Sequence, residues 1–297
     1  MFKKSLRETK ADKVFDKINC LIAILILLIV AYPIWIVIIS SISDPYALLA
    51  GKVKILPVGF TLDGYSAIFR HKQVWTGMYN SVLYTVFGTL VNMFMTIIAA
   101  YPLSRKDFTL NAPLSLLFAF TMWFSGGLIP TYLLIKGMGF FNSRLVMIIP
   151  SALSVWNMII LRTYFQSNVG GEILESAKID GCDDFRYLWK IAVPLSKPSL
   201  AVIALYYMVA NWNVFMQAYL YLSKQELYPI QIVLREILLL GNVEDISVSA
   251  VEDSNAQLMN ELLKYSLVIV ASLPMLIVYP FVQKFFIKGI MVGAIKG

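Results

Sequence analysis

The sequence predicts an all-α, polytopic membrane protein with six transmembrane helices, and three observations carry that prediction. Of its 297 residues, 59% are hydrophobic and only 14% are charged, against about 25% charged in a soluble domain; the mean hydropathy is +0.72. Six apolar stretches, each free of Asp, Glu, Lys and Arg, reach or approach the roughly 20 residues needed to cross a bilayer. The remaining charge is sorted between alternate connections. The same composition excludes a soluble enzyme, a disordered chain and a collagen-like chain, since 16 Gly and 12 Pro are ordinary and aromatics reach 13%.

The stretches run over residues 18–43, 79–104, 108–135, 145–161, 199–223 and 265–283. The first follows Lys3, Lys4 and Arg7, as a secretory signal would. It is too long for a signal core and lacks a small-residue cleavage site, so it reads as a retained helix. The third is overlong and the fourth short. Pro33, Pro102, Pro130, Pro274 and Pro280 fall inside or at the ends of these stretches, where neighbouring helices can satisfy the freed carbonyls. The expected organisation is a cytosolic arm (1–17), a six-span domain (18–283) and a cytosolic tail (284–297). Its external loops lie at 44–78 and 224–264, and a long cytosolic loop at 162–198.

Most of the 25 Lys and Arg fall in the arm, in the second-to-third and fourth-to-fifth connections, and in the tail. The positive-inside bias therefore puts both termini in the cytosol, and the net charge of +7 is an orientation signal that needs no nucleic-acid partner. The external 224–264 segment is acidic (Glu226, Glu236, Glu244, Asp245, Glu252, Asp253, Glu261). It reads as a solvated loop first and a docking surface second.

Ion-coupled carriers keep ionisable relay groups inside the membrane, and none lies in these six stretches. No G-x-x-x-x-G-K-[ST] loop is present, so energy for uphill transport has to come from another polypeptide. Cys20, Cys182 and the single His71 make no metal or catalytic constellation. What the spans do contain is neutral and polar. Tyr206, Asn213, Gln217 and Tyr221 recur at helical spacing in the fifth, flanked by Asn211 and Trp212. Ser154 and Asn157 share a face of the fourth, and Thr85, Thr89, Asn92 and Thr96 stripe the second. Amides, hydroxyls and aromatic faces suit an uncharged polyol such as a sugar. The competing reading is hydrogen bonding between packed helices, preferred for the threonine stripe and evenly matched for the Asn213/Gln217 face. Asn157, Tyr206, Asn213, Gln217 and Tyr221 are the candidate substrate-pathway residues.

The 162–198 loop carries the sharpest signal. It reads Glu175-Ser176-Ala177-Lys178-Ile179-Asp180-Gly181, then nine residues, then Ile191-Ala192-Val193-Pro194. Ile173, Leu174, Ala177 and the Lys178 stem recur at helical spacing, and Gly181 can end the helix in the left-handed conformation. Phe185, Leu188 and Trp189 give the second piece an apolar stripe, and Pro194 and Pro198 break the chain before the fifth span. An apolar helix hairpin outside the membrane implies a partner protein or a membrane-surface helix.

This pattern resembles E-A-A-x-x-x-G, nine residues, I-x-L-P, the signature of ABC-importer membrane subunits, matched at Glu175, Ala177, Gly181, Ile191 and Pro194. Ser176 replaces one alanine of the pair and Val193 the leucine; Gly170 and Gly171 stand near where the family often has a proline. With Asn80-Ser81, Leu103-Ser104-Arg105-Lys106, Trp212-Asn213 and the terminal Gly293-Ala294-Ile295-Lys296-Gly297, the resemblance covers almost the whole chain. It points to carbohydrate-importer permeases of the maltose type, and to the MalG-like partner in particular.

The resemblance implies a type I ABC-importer permease fold in a bacterial cell membrane. The partners would be a second homologous permease subunit, a dimeric cytosolic ATPase, an outer solute-binding protein and an oligosaccharide. ATP and Mg would sit on the ATPase and no cofactor on this chain. Glu175, Ser176, Ala177, Asp180, Gly181, Ile191 and Pro194 would form the ATPase-coupling site. Lys288 and Lys296 in the tail would add a second contact, and the 224–264 segment would face the binding protein. Two alternatives stay open: an ABC importer for a non-sugar solute, and a membrane enzyme, for which Asp183, Asp184 and Arg186 are the nearest cluster.

Overall fold

The computed structural model describes residues 10–240 and 253–294 of the chain. The described residues are helical, with no strand among them and one isolated antiparallel bridge, Ser43–Phe60. In order come α1 (Lys10–Ser41), α2 (Pro45–Leu49), α3 (Asp63–Arg70), α4 (Lys72–Ser104), α5 (Asn111–Trp123) and α6 (Leu128–Gly137). After a 3₁₀ turn (Arg144–Met147) follow α7 (Val155–Asn168), α8 (Glu172–Ile179) and α9 (Asp184–Tyr187). A π-turn (Leu188–Ala192) leads into α10 (Val193–Leu195), α11 (Lys197–Trp212), α12 (Met216–Tyr221), α13 (Ile230–Leu240) and α14 (Asp253–Ala294).

Three of these helices carry stretches long and apolar enough to cross a membrane, Asp12–Ser40, Lys72–Ser104 and Glu261–Phe281; the number rises to 5 if each of two bent pairs is one span. The expected third span is one such pair: α5 and α6 meet at 114°, hinged at Phe124-Ser125-Gly126-Gly127. The expected fourth, 145–161, is not one helix: it starts in the 3₁₀ turn, and α7 begins only at Val155, its 14 residues extending about 21 Å, short of the roughly 30 Å of hydrocarbon. α7 runs on to Asn168, so Arg162 to Asn168 is helix rather than loop. The expected fifth is interrupted. Asn213 ends α11, Phe215 leaves helical geometry, and α12 starts afresh at Met216. The second bend, 83° at Ser196, falls between Pro194 and Pro198, as the prolines require.

The chain divides into two compact units. In the first (1–70 and 237–270), Ile39, Ile68, Leu262 and Leu263 are buried. There Tyr65 Oη and Ser41 Oγ share a hydrogen bond of 2.8 Å, and Ser266 Oγ donates to the Ser41 carbonyl at 3.3 Å. Gly64 makes a close approach there: a Cβ would lie 2.5 Å from Ser266 Oγ and 3.1 Å from the Leu262 carbonyl oxygen, so a larger residue would force a shift.

The second unit (71–236 and 271–297) is organised around α4. Ile97, Ala100 and Leu103 pack with Met158, Leu161 and Phe165 of α7 and with Leu200, Ile203 and Tyr207 of α11. The polar stripe of α4 is buried and bonded, as expected for helix–helix adhesion. Thr96 Oγ1 and Tyr207 Oη share a bond of 2.7 Å, and Tyr207 Oη also accepts from the Ser154 N–H at 3.0 Å. Asn92 Nδ2 donates to the Ser151 carbonyl at 2.5 Å. Asn211 Nδ2 donates to Asn92 Oδ1 at 3.0 Å and lies 3.3 Å from Thr89 Oγ1. At the other end of α4, Asn80 Nδ2 donates to the Glu226 and Tyr228 carbonyls at 2.7 and 3.1 Å. Ser81 Oγ accepts from the Ile230 N–H at 2.8 Å. These bonds pin the start of the 224–264 segment onto α4.

Candidate functional site

The site is the hairpin of α8 and α9 between α7 and α11. Gly171, at φ +65°, turns the chain into α8. The helix ends in a Schellman motif: the Gly181 N–H bonds the Lys178 carbonyl at 3.0 Å and the Cys182 N–H bonds the Ala177 carbonyl at 2.9 Å. Gly181 sits at φ +76°, the left-handed geometry expected of it. Asp183 then caps α9, its Oδ1 accepting from the Arg186 N–H at 2.7 Å. Pro194 has no N–H to continue the ladder, and the preceding turn loosens to π spacing, with Val193 N–H bonding Leu188 O.

One side of the hairpin is anchored and the other is bare. Ala177, Tyr187, Leu188 and Ala192 join Leu103, Leu161 and Phe165 in a single buried cluster. The Tyr187 hydroxyl donates to the Val169 carbonyl and closes the base of the hairpin. On the outer side Glu175, Ser176, Asp180 and Gly181 are exposed, beside Ile179 at 86% and Phe185 at 74% exposure. Ile191 is half-buried and Pro194 exposed. The apolar stripe of the second piece is divided: Leu188 is buried against the bundle, whereas Phe185 lies on the open face.

Arg105, just past the end of α4, is the electrostatic centre. Its side chain is 8% exposed. Nε and Nη2 grip Asp107 in a bidentate pair at 2.8 and 2.5 Å, while Nη1 donates to Tyr101 Oη at 3.0 Å and pairs with Asp184 of α9. Lys178 of α8 reaches Asp107 at 3.4 Å. The hydrogen bonds from Arg105 hold the Asp107 carboxyl well below the usual range, and Asp107 in turn pushes the guanidinium up. Arg162 adds a second clamp, Nε donating to the Leu103 carbonyl at 2.8 Å and Nη2 to Asn111 Oδ1 at 3.2 Å. A cavity of about 970 Å³ opens between α8 and the ends of α4 and α7, lined by Arg105, Asp107, Gln166, Gly171, Glu175 and Lys178 among others. The acidic residues at 183 and 184 are thus committed, one to a cap and one to an ion pair.

The candidate pathway residues do not form one face. Because the helix breaks after Trp212, Asn213 Nδ2 turns back to the Val209 carbonyl at 2.9 Å. Gln217 Nε2 donates to the Val146 carbonyl, and Tyr221 is buried and stacked on Tyr132 with ring centres 5.8 Å apart. Tyr206 is 45% exposed, and Asn157 is buried, its N–H 3.4 Å from Ser154 Oγ. Asn211, a flanking residue in the sequence pattern, is the one whose amide bridges to α4. Lys296 lies outside the described residues, and at Lys288 only the helical backbone is described.

Nothing in the sequence marks Arg105 and Asp107 as a pair beyond their spacing; Arg105 reads there as an orientation charge and as part of the Leu103-Ser104-Arg105-Lys106 piece of the resemblance. Arg235 was likewise one external cation among several. It lies over the rings of Tyr219 and Phe215, 4.3 and 5.5 Å from their centres.

The chain is similar to known proteins over most of its length. The family described as "Binding-protein-dependent transport system inner membrane component" matches residues 74–292. "Polygalacturonan/rhamnogalacturonan transport system permease protein YtcP" of Bacillus subtilis (strain 168) is 38% identical over 286 residues, covering 96% of this chain and 99% of that protein. "Arabinooligosaccharides transport system permease protein AraQ" of the same organism is 24% identical over 298 residues, covering 98% of this chain and 100% of that protein. A solved structure, "Crystal structure of a bacterial ABC transporter involved in the import of the acidic polysaccharide alginate", aligns with a TM-score of 0.85 at 32% identity, covering 94% of this chain and 98% of that one. With a family match over most of its length and a full-length relative at 38% identity, this chain belongs to the binding-protein-dependent transport system inner membrane components, the permease subunits of that transport class.

Proposed function

We propose that the chain is one permease subunit of an ATP-driven, binding-protein-dependent oligosaccharide importer. It pairs with a second, homologous permease over a dimeric cytosolic ATPase that holds ATP and Mg. Both termini face the cytosol. The observation that carries the coupling role is the split character of the α8–α9 hairpin. Its inner side is fastened to α4 and α7 through Arg105, Tyr187 and Ala177, and its outer side offers Glu175, Ile179 and Phe185 to a partner. A push on the outer side is thereby delivered to the helices that bound the pathway. Glu175, Ser176, Ala177, Asp180, Gly181, Ile191 and Pro194 are the coupling residues, with Lys288 and Lys296 of the tail as a second ATPase contact. Asn157, Tyr206, Asn213, Gln217 and Tyr221 remain the proposed pathway set, with Tyr206 and Asn213 the most exposed of them.

The substrate is an oligosaccharide and, within that class, an acidic one. Of the relatives above 30% identity, one is named for polygalacturonan/rhamnogalacturonan and the alginate importer is another, while "Protein LplC" of Bacillus subtilis, at 38%, is named for no substrate. Arg235 supports this reading: its guanidinium carbon lies over Tyr219 and Phe215, and a guanidinium held on aromatic rings still has N–H donors to offer a carboxylate. Uptake in vesicles containing the whole complex and its binding protein tests the proposal. Labelled oligogalacturonate should accumulate only with ATP; accumulation without ATP, or none of any saccharide, would overturn it.

A further inference from the structure

The 45–60 segment lies between α1 and α3 and includes α2. It is a closed loop. At its neck the Asp44 N–H bonds the Val58 carbonyl at 2.9 Å, the Thr61 N–H bonds the Ile42 carbonyl at 3.1 Å, and Ser43 bridges Phe60. Ser43 Oγ donates to the Ile39 carbonyl at 2.6 Å and accepts from the Val58 N–H at 3.2 Å, which fastens the neck to the end of α1. Gly59, at φ +65°, has room for no Cβ, which would sit 2.7 Å from that of Asp44.

Its far end does not project away from α1. The Trp35 indole N–H donates to the Ile55 carbonyl at 2.8 Å. Trp35 precedes the last residue of α1, Ser41, by six positions, about 9 Å of helix rise, and helical side chains lean toward the N-terminus. The tip at Ile55 is therefore held alongside the apolar span Asp12–Ser40, level with residues inside it. Its surface matches that depth: Ile55 and Leu56 are each 69% exposed, Phe60 is 72%, Tyr46 62% and Leu49 58%. Lys52 and Lys54, both exposed, flank the tip.

We infer that this loop is a lipid anchor. Its apolar tip sits in the leaflet beside the C-terminal end of α1, Trp35 sets its depth, and Lys52 and Lys54 meet headgroup phosphates. An apolar surface seated about 5–10 Å into the headgroup boundary, with basic residues above it, is the general form of interfacial binding. Exposed apolar area of this kind would otherwise face water.

The test uses the full chain in its assembled complex, in nanodiscs of phosphatidylcholine with a minority of phosphatidylglycerol. Cys20 and Cys182 are replaced by Ser, and Leu56→Cys carries an environment-sensitive fluorophore; Lys224→Cys serves as the water-exposed reference. The expected result is blue-shifted emission at 56, quenched by lipids bearing a shallow doxyl group and resistant to iodide. Trp35→Phe should move that signal toward water. Iodide quenching equal to the reference site would overturn the inference. So would protection that arises only when the solute-binding protein is added, which would make that protein the occupant. Because the readout needs no substrate, it is separate from the fate of the transport proposal.

Discussion

Arg105 and Asp184, 79 residues apart in the chain, form an ion pair that ties the end of α4 to the first turn of α9. The guanidinium is buried whereas its carboxylate partners, Asp107 and Asp184, are 57% and 61% exposed. Removing the cation leaves the acids solvated and the loop untethered. Arg105→Gln should cost about 1 kcal/mol of local stability, less than the about 1.5–3 kcal/mol of a charged hydrogen bond because its carboxylate partners are exposed and screened. ATP-driven uptake should fall while membrane insertion persists. Uptake at wild-type level, with normal amounts of protein in the membrane, would refute the tether.

The same contacts set a pH response. Asp107 is depressed below its usual value by the Arg105 hydrogen bonds, so its stabilising contribution is present above the unfolded value of about 3.9 and is lost only as pH falls through the lower folded one. Hydrogen exchange of the α8–α9 amides, corrected for intrinsic rate, should show constant protection from about pH 8 to about pH 5. Loosening near neutrality would show that another group controls the hairpin.

At Gly181 the requirement is backbone geometry. A Cβ there meets nothing within 4 Å, so the cost of replacement is the strain of φ +76° and not a clash. Gly181→Val should lose most of the uptake, since a β-branched residue fits that region worst. Gly181→Asn, which tolerates it, should retain much more. Glu175→Ala, at an exposed site, should reduce uptake with a change in stability within about 0.5 kcal/mol. Equal uptake by Gly181→Val and Gly181→Asn would remove the backbone argument.

Asn211 and Asn92 form the polar joint between α11 and α4. Asn211→Ala deprives the buried Asn92 of a partner and should lower thermal stability in detergent by about 1–3 kcal/mol. Gly88→Ala presses a Cβ to 2.9 Å from Asn211 Nδ2 and should act in the same direction. Thermal unfolding of both variants at the wild-type temperature would mean that this joint carries no stability.

Arg235 gives a specificity prediction. Arg235→Gln should raise the half-saturating concentration of oligogalacturonate severalfold, a loss of about 1 kcal/mol. Arg235→Lys should recover only part of it, because an ammonium cannot stack as the guanidinium does. An unchanged concentration dependence in both variants would exclude Arg235 from recognition.

Much of this fold was legible because burial in lipid writes long apolar runs: α1, α4 and the apolar part of α14 lie where the stretches predicted. The hairpin was legible because its turns need particular residues, Gly181 at positive φ and Pro194 at the end of a ladder. The break at Asn213 was hidden. Trp212-Asn213-Val214-Phe215 contains neither Pro nor Gly, and the side chain that replaces a lost backbone bond, Asn213 to Val209 O, looks the same in sequence as one facing a pathway. The hinge at Phe124-Ser125-Gly126-Gly127 did carry a glycine pair, but uninterrupted apolarity outweighed it. Arg105 was hidden for a different reason. Its burial depends on Asp184 and Tyr101 arriving from elsewhere in the fold, and a basic residue at the end of a span otherwise reads as an orientation charge.

The most direct measurement of the central claim is a mild-detergent pull-down of the tagged full chain from native membranes, with partners identified by mass spectrometry and compared with Glu175→Ala/Gly181→Val. The wild type should bring down an ATPase and a second permease, and the variant should lose the ATPase alone. Recovery of the chain with no nucleotide-binding partner, or equal recovery of the ATPase by both, would contradict it.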